Sequence, residues 1–112
     1  MSKRKIEAYI PKAIDAIEKL GIAKENKIDK EFNGYISSFG ASIRQAGLLA
    51  TVLFYGNTNS NSEKEREKII YAIEEMIGHK IVENHKVTKK TKAEVEYAAI
   101  ALKLAIRSYT LV

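Results

Sequence analysis

Few side chains in this 112-residue sequence have the types and spacing that catalysis or metal binding requires. Cysteine is absent, which excludes a thiol nucleophile, a disulfide and a thiolate zinc site within the sequence. His79 and His85 are six residues apart, whereas two metal ligands on one helix face need a spacing of three or four. We therefore expect no metal site and no cofactor.

The acidic residues do not suggest catalysis either. Glu74 and Glu75 lie on a segment of alternating charges, a pattern typical of a solvated helix face. Only carboxyl groups that project into a shared cleft could act as a general acid–base pair. We expect a protein that is not an enzyme, and the rival is a small enzyme with scattered acids.

Basic residues are more informative, because the net charge is +5 and part of it is concentrated. Residues 79–92 carry five lysines against one glutamate, a local net charge of +4 that includes Lys89, Lys90 and Lys92. Lys103 and Arg107 follow four residues apart in the last helical pattern. Such a ridge could neutralise the phosphates of a nucleic acid without reading bases, or it could be a solubilising surface.

Arg44 stands apart from these clusters as the single charged residue in residues 32–62. A lone arginine in a neutral segment either pairs with a buried carboxylate or contacts phosphate. The sequence leaves both alternatives open.

Helical periodicity runs through almost the whole chain and would position these groups. Apolar residues recur every three or four positions in the first, central, fourth and last segments. We predict an all-α fold, a compact bundle of five or six helices that forms a single domain over residues 1–112.

Capping residues and glycines predict the helix boundaries. Gly21 and Gly78 are expected to end helices, Gly40 to separate two helices, and Pro11 either to kink the first helix or to open a second one. The predicted N-terminal caps are Asp29, Ser62 with Glu65, and Thr91 with Glu94. Residues 22–31 are interpreted as a connection, and residues 78–90 as a loop that could hold a short strand or a helical turn.

The neutral central segment has apolar residues on two sides of its helices. It is either a core helix pair that the rest of the bundle covers or a surface that another subunit covers. The candidate subunit-interface residues are Tyr35, Ile36, Phe39, Leu48, Val52 and Tyr55.

No uncharged apolar run reaches the roughly 18 residues that a membrane span needs. The basic N-terminal residues continue into an amphipathic pattern, which is unlike a signal peptide. We expect a cytoplasmic protein with no membrane partner.

Residues 34–55, GYISSFGASIRQAGLLATVLFY, resemble the central segment of the small helical subunit of the Cmr (type III-B) CRISPR effector complex. The similarity consists of a tyrosine-containing helix, the Gly47-Leu48 step and an apolar run that ends in Phe54-Tyr55. The order of the other helices agrees over nearly the whole chain.

The resemblance implies a non-catalytic subunit that stacks with copies of itself and contacts the backbone and large subunits, beside the guide and target RNA. By position in the family pattern, Arg44, Lys103 and Arg107 are expected to contact RNA. Lys89, Lys90 and Lys92 are added to the candidate RNA-binding set from the charge pattern alone. The rivals are the small subunit of the related type III-A complex and an independent helical nucleic-acid-binding protein.

Overall fold

The computed structural model describes residues 3–56 and 61–112, and within them the chain is an all-α bundle, as predicted. The described part contains five helices and three two-residue strands. The helices are α1 (Lys3–Lys19), α2 (Lys30–Ala46), α3 (Leu48–Tyr55), α4 (Asn61–Ile77) and α5 (Lys89–Arg107). The strands are β1 (Ala23–Lys24), β2 (Lys27–Ile28) and β3 (Thr110–Leu111).

Helix α1 is one continuous helix that includes Pro11, so the alternative in which Pro11 opens a second helix is wrong. The helix ends at a left-handed glycine, as expected, because Gly21 has φ +69°. The amide of Ile22 donates to the carbonyl of Ile17 at 3.0 Å, and that of Gly21 donates to Glu18 at 3.2 Å. This pair of bonds is the Schellman motif, which satisfies carbonyls that the helix end leaves free.

The predicted connection over residues 22–31 contains two strands of a small three-stranded sheet. Strands β1 and β2 form an antiparallel hairpin whose turn residues, Glu25 and Asn26, both have positive φ. Strand β3 pairs with β2 in parallel register, which places the C-terminal residues beside the hairpin. The Tyr109 hydroxyl, just before β3, donates to a Glu18 carboxylate oxygen on α1 at 2.8 Å.

The boundary between α2 and α3 differs from the prediction. Asp29 caps α2 as expected, since its carboxylate accepts from the Glu31 amide at 3.1 Å. The predicted break at Gly40 is wrong, because α2 continues through Gly40 and the chain breaks at Gly47, whose φ is +91°. Thr51 supports this elbow, donating to the Gly47 carbonyl at 2.8 Å.

Helix α4 ends at Gly78 (φ +83°), as predicted, whereas the predicted cap role of Ser62 depends on a side chain that lies outside the described part of the chain. The predicted cap at Thr91 is wrong: Thr88 caps α5, and its hydroxyl oxygen accepts from the Thr91 amide at 3.1 Å. Between these helices a tight turn brings Glu83 and Lys86 into a β-bridge.

The core lies where α5 packs against α1, α2 and α4. Helix α5 contributes small and branched side chains that are fully buried, among them Val95, Ala98, Leu102 and Ile106. Small residues on this face let the neighbouring helices approach closely, and none of the charged side chains of α5 is buried. Among the described residues, no helix is both long enough and apolar enough to cross a membrane.

Candidate nucleic-acid groove and exposed apolar face

Helices α2 and α5 run antiparallel and leave a shallow groove between them. Near one end, the Arg107 Nε donates to the Asn33 side-chain oxygen at 3.0 Å. At the other end, Lys89 and Lys92 lie beside the Gly47 elbow. Residues early in α2 therefore meet residues late in α5, and the groove follows the whole length of the pair.

The middle of the groove encloses about 350 Å³ and combines an apolar floor with charged walls. Its floor is formed by apolar and small residues, namely Ile36, Ser37, Gly40, Ile43, Ala99 and Ile100. Arg44 from α2 and Lys103 from α5 line the same space, together with Glu96. The structure thus brings together two candidate RNA-binding residues that are far apart in sequence.

The cations of α5 form one stripe along this groove. At 100° per residue, Lys89, Lys92, Lys103 and Arg107 fall within an arc of about 60°, so they share one side of the helix. The stripe is about 27 Å long, from the helical rise over residues 89–107. With Arg44 from α2, five of the six candidate RNA-binding residues therefore lie along one surface.

Arg44 is solvent-exposed. It makes no hydrogen bond or ion pair with any side chain that the structure describes. The alternative in which Arg44 pairs with a buried carboxylate is therefore wrong for the described part of the chain. Lys89, Lys92 and Lys103 likewise have no carboxylate within 4.0 Å among the described side chains. An exposed cation without a protein partner retains its capacity to bind a phosphate.

Lys90 is the sixth candidate, and it points to a different surface. It lines a depression with His79, Glu83 and Glu94 on the other side of α5. Lys90 and Lys92 therefore form a natural pair for comparison, since they have the same charge and lie in the same helical turn but on different surfaces.

His79 lies in that depression between two acceptors. Its Nδ1 is 2.8 Å from the Lys80 carbonyl oxygen, and its Nε2 is 3.1 Å from a Glu94 carboxylate oxygen. A neutral imidazole donates from only one nitrogen, so both bonds form only in the protonated ring. The bond to the Lys80 carbonyl and then the bond to Glu94 raise the pKa of His79 above its usual 6.5.

Four of the six candidate interface residues contribute to the core of their own chain. Ile36, Phe39, Leu48 and Tyr55 are buried. The Tyr55 hydroxyl donates to the Tyr35 carbonyl at 2.8 Å. Burial is the main cause of the raised pKa of Tyr55. The chain's own helices cover these four side chains, so they offer little accessible area to another subunit.

Tyr35 and Val52 are the two candidate interface residues that remain partly accessible. The Tyr35 hydroxyl donates to a Glu31 carboxylate oxygen at 3.0 Å, on the exposed side of α2. Val52 is half-buried on α3. Neither residue forms an apolar surface of its own.

The apolar surface that the structure does expose lies on the outer side of α3. Leu53 and Phe54 are 62% and 58% exposed, and Leu49, one turn before Leu53, is 36% exposed. The guanidinium carbon of Arg66 lies 4.2 Å from the Phe54 ring centroid, within the range of a cation–π interaction. We call Leu49, Leu53 and Phe54 the α3 face.

Sequence reasoning missed the α3 face because it assigned the break to Gly40. Because α3 is a separate helix that begins after Gly47, the apolar periodicity of α2 does not continue into it. Thr51 and Tyr55 face the core, and Leu53 and Phe54 face the solvent. Glu96 was also missed, since a single acid in an Ala-rich helix carries no motif. The helical spacing from Lys92 and Lys103 could have placed it on the stripe.

A comparison with known protein families identifies the family of this chain. The family model of CRISPR-associated protein (Cas_Cmr5) matches residues 7–109. The chain belongs to this family and is a CRISPR-associated subunit of the Cmr type. The searches of curated proteins and of solved structures gave no match.

Proposed function

We propose that this Cmr subunit is a non-catalytic structural component of a type III-B effector complex. In this proposal, the subunit binds the backbone of guide or target RNA along the α2–α5 groove. It packs against neighbouring subunits through the α3 face. The family match favours this assignment over the type III-A small subunit.

The observation that carries the RNA part is the convergence of Arg44, Lys89, Lys92, Lys103 and Arg107 on one surface. A phosphate backbone is a periodic line of negative charges, and a straight stripe of cations about 27 Å long complements it. The cations lie on a helix and at the end of its neighbour rather than on a mobile loop, so their spacing is fixed by the fold. Contacts of this kind position RNA and carry no base specificity.

Packing through the α3 face is supported by its composition. Protein interfaces are rich in aromatic and large apolar residues and poor in charge, and Leu49, Leu53 and Phe54 fit that description. The three side chains lie on a helix whose inner side is anchored by Tyr55 and Thr51. The occupant that we propose is another subunit of the effector complex, because the chain belongs to a Cmr subunit family.

Glu74 and Glu75, the acidic residues considered for catalysis, both have structural partners. A Glu74 carboxylate oxygen accepts from the Ile81 amide at 3.0 Å, and the other lies 3.8 Å from the Lys80 ammonium. A Glu75 oxygen lies 2.8 Å from the Lys19 ammonium. Partnered carboxylates of this kind stabilise a surface, and they support the proposal that catalysis belongs to other subunits.

Two sets of variants in a reconstituted effector complex separate the two halves of the proposal. Arg44→Ala with Lys92→Ala and Lys103→Ala is expected to leave assembly intact and to weaken target-RNA binding. Leu53→Ser with Phe54→Ser is expected to reduce incorporation of the subunit while the free chain remains folded.

The matched control removes three cations outside the groove, through Lys12→Ala, Lys80→Ala and Lys90→Ala. If this control weakens RNA binding as much as the groove variant does, net charge and not the groove determines binding. Incorporation that is unchanged by the α3 changes would contradict the packing surface. Strong preference for one RNA sequence would instead support the independent nucleic-acid-binding rival.

A further inference from the structure

Glu96 is the one carboxylate among the residues that line the α2–α5 groove. It lies between Lys92 and Lys103 on the cation stripe and is solvent-exposed. Its carboxylate makes no hydrogen bond or ion pair within the side chains that the structure describes. It therefore has no direct ionic contact with the neighbouring cations among the described side chains.

A groove that only bound phosphate would gain nothing from this residue. A carboxylate repels phosphate, and it only accepts hydrogen bonds. At this position it can accept a hydrogen bond from a donor on the ligand, close to the phosphates that Arg44 and Lys103 would bind.

An RNA backbone offers one such donor at every nucleotide, the ribose 2′-hydroxyl. Phosphate and ring oxygens only accept hydrogen bonds, and DNA lacks the 2′-hydroxyl, which is how a protein distinguishes RNA from DNA at a given site. We propose that Glu96 accepts a hydrogen bond from a ribose 2′-hydroxyl while Arg44 and Lys103 bind the adjoining phosphates, so that the groove selects RNA over DNA. This inference rests on the proposed function of the groove.

The floor of the groove is suited to a sugar. Gly40 lies in the interior of α2, and a Cβ atom built on it would meet no heavy atom within 4 Å, so the space above it is open. Ile43 and Ile100 line the same floor and offer apolar contact to the carbon face of a ribose. The polar groups at the edge, Arg44, Glu96 and Lys103, are placed to contact the phosphate and hydroxyl groups around the ring.

The test compares three ligands of one base sequence: single-stranded RNA, the corresponding DNA, and 2′-O-methyl RNA, which keeps the ribose but lacks the hydroxyl proton. A hydrogen bond to a charged acceptor predicts that the wild-type chain binds RNA about tenfold more tightly than either of the others. Glu96→Ala is expected to bind all three ligands with equal affinity. Glu96→Gln, which keeps an acceptor oxygen, is expected to retain part of the preference for RNA.

Glu83→Ala is the matched control, because it removes one carboxylate from the surface that Lys90 occupies and should keep the full RNA preference. Equal binding of RNA and DNA by the wild-type chain would overturn the role of Glu96 and leave the groove proposal standing. Retention of the preference in Glu96→Ala would do the same. Failure of the wild-type chain to bind any of the three ligands would overturn this inference, whereas the groove proposal is tested separately by the variants in the reconstituted effector complex.

Discussion

The salt dependence of RNA binding gives a quantitative prediction for the α2–α5 groove. Each phosphate that a cation neutralises on a single strand releases counterions, which contributes about −0.7 to the slope of log affinity against log salt concentration. If the five groove cations each contact one phosphate, the slope is about −3.5. Raising the salt from about 50 to about 200 mM then lowers the affinity about 100-fold.

The perturbation that tests this reasoning is Arg44→Ala together with Lys103→Ala. Both side chains line the middle of the groove and have no protein partner among the described side chains, so their removal should not disturb the fold. The slope should become about −2.1, and the same change in salt should lower the affinity only about 20-fold.

Fluorescence anisotropy of a labelled single-stranded RNA measures this slope directly. Lys12→Ala with Lys80→Ala removes the same charge from other surfaces, and this control should keep the wild-type slope. A slope that is unchanged in the groove variant, or that falls equally in the control, would refute the assignment of the phosphate contacts to the groove.

Three further predictions concern stability. Tyr55→Phe removes the hydrogen bond to the Tyr35 carbonyl, and urea unfolding should show a loss of about 1 kcal/mol; no loss would mean that the bond is not formed in solution. Gly40→Ala should raise the free energy of unfolding by about 0.5–1 kcal/mol, because the glycine lies inside a helix with open space around it, and a lower melting temperature would contradict this. The pKa of His79 is raised in the fold, so its bonds to the Lys80 carbonyl and to Glu94 stabilise the protein fully below pH 6.5, and this contribution is lost as the pH rises through the raised pKa. Destabilisation by His79→Asn should accordingly be larger at acidic than at alkaline pH, and a difference that is independent of pH would contradict the protonated ring.

The helices could be predicted from the sequence because each carries a long apolar stripe, but their boundaries depended on choices between similar residues. Gly40 and Gly47 are both glycines in a neutral segment, and only the observed φ of +91° shows that Gly47 is the break. Thr88 and Thr91 are both possible caps, and the observed hydrogen bond selects Thr88. The choice depends on tertiary packing, since Thr91 is itself buried.

The small sheet could not be predicted, because strands of two residues are too short to show a period. Its third strand also pairs with a hairpin more than 80 residues earlier in the chain, a contact that local patterns do not encode.

The candidate groove was predicted in part. Helical spacing alone places Lys103 and Arg107 on one face of α5, whereas Arg44 joins them only because α2 packs antiparallel to α5. Lys90 could have been separated from Lys89 and Lys92 by the same spacing, because it lies on the other side of the helix. The interface prediction selected inward-facing residues of α2 and α3, since the sequence does not show which of two apolar sides the bundle covers.

Lysine footprinting of the assembled effector complex, with and without bound target RNA, tests the central claim most directly. Acetylation followed by mass spectrometry reports the accessibility of each lysine in the same sample. The groove assignment predicts that RNA protects Lys89, Lys92 and Lys103 while Lys12 and Lys90 react as before. Protection of Lys90 and Lys12, with Lys92 and Lys103 still reactive, would contradict it.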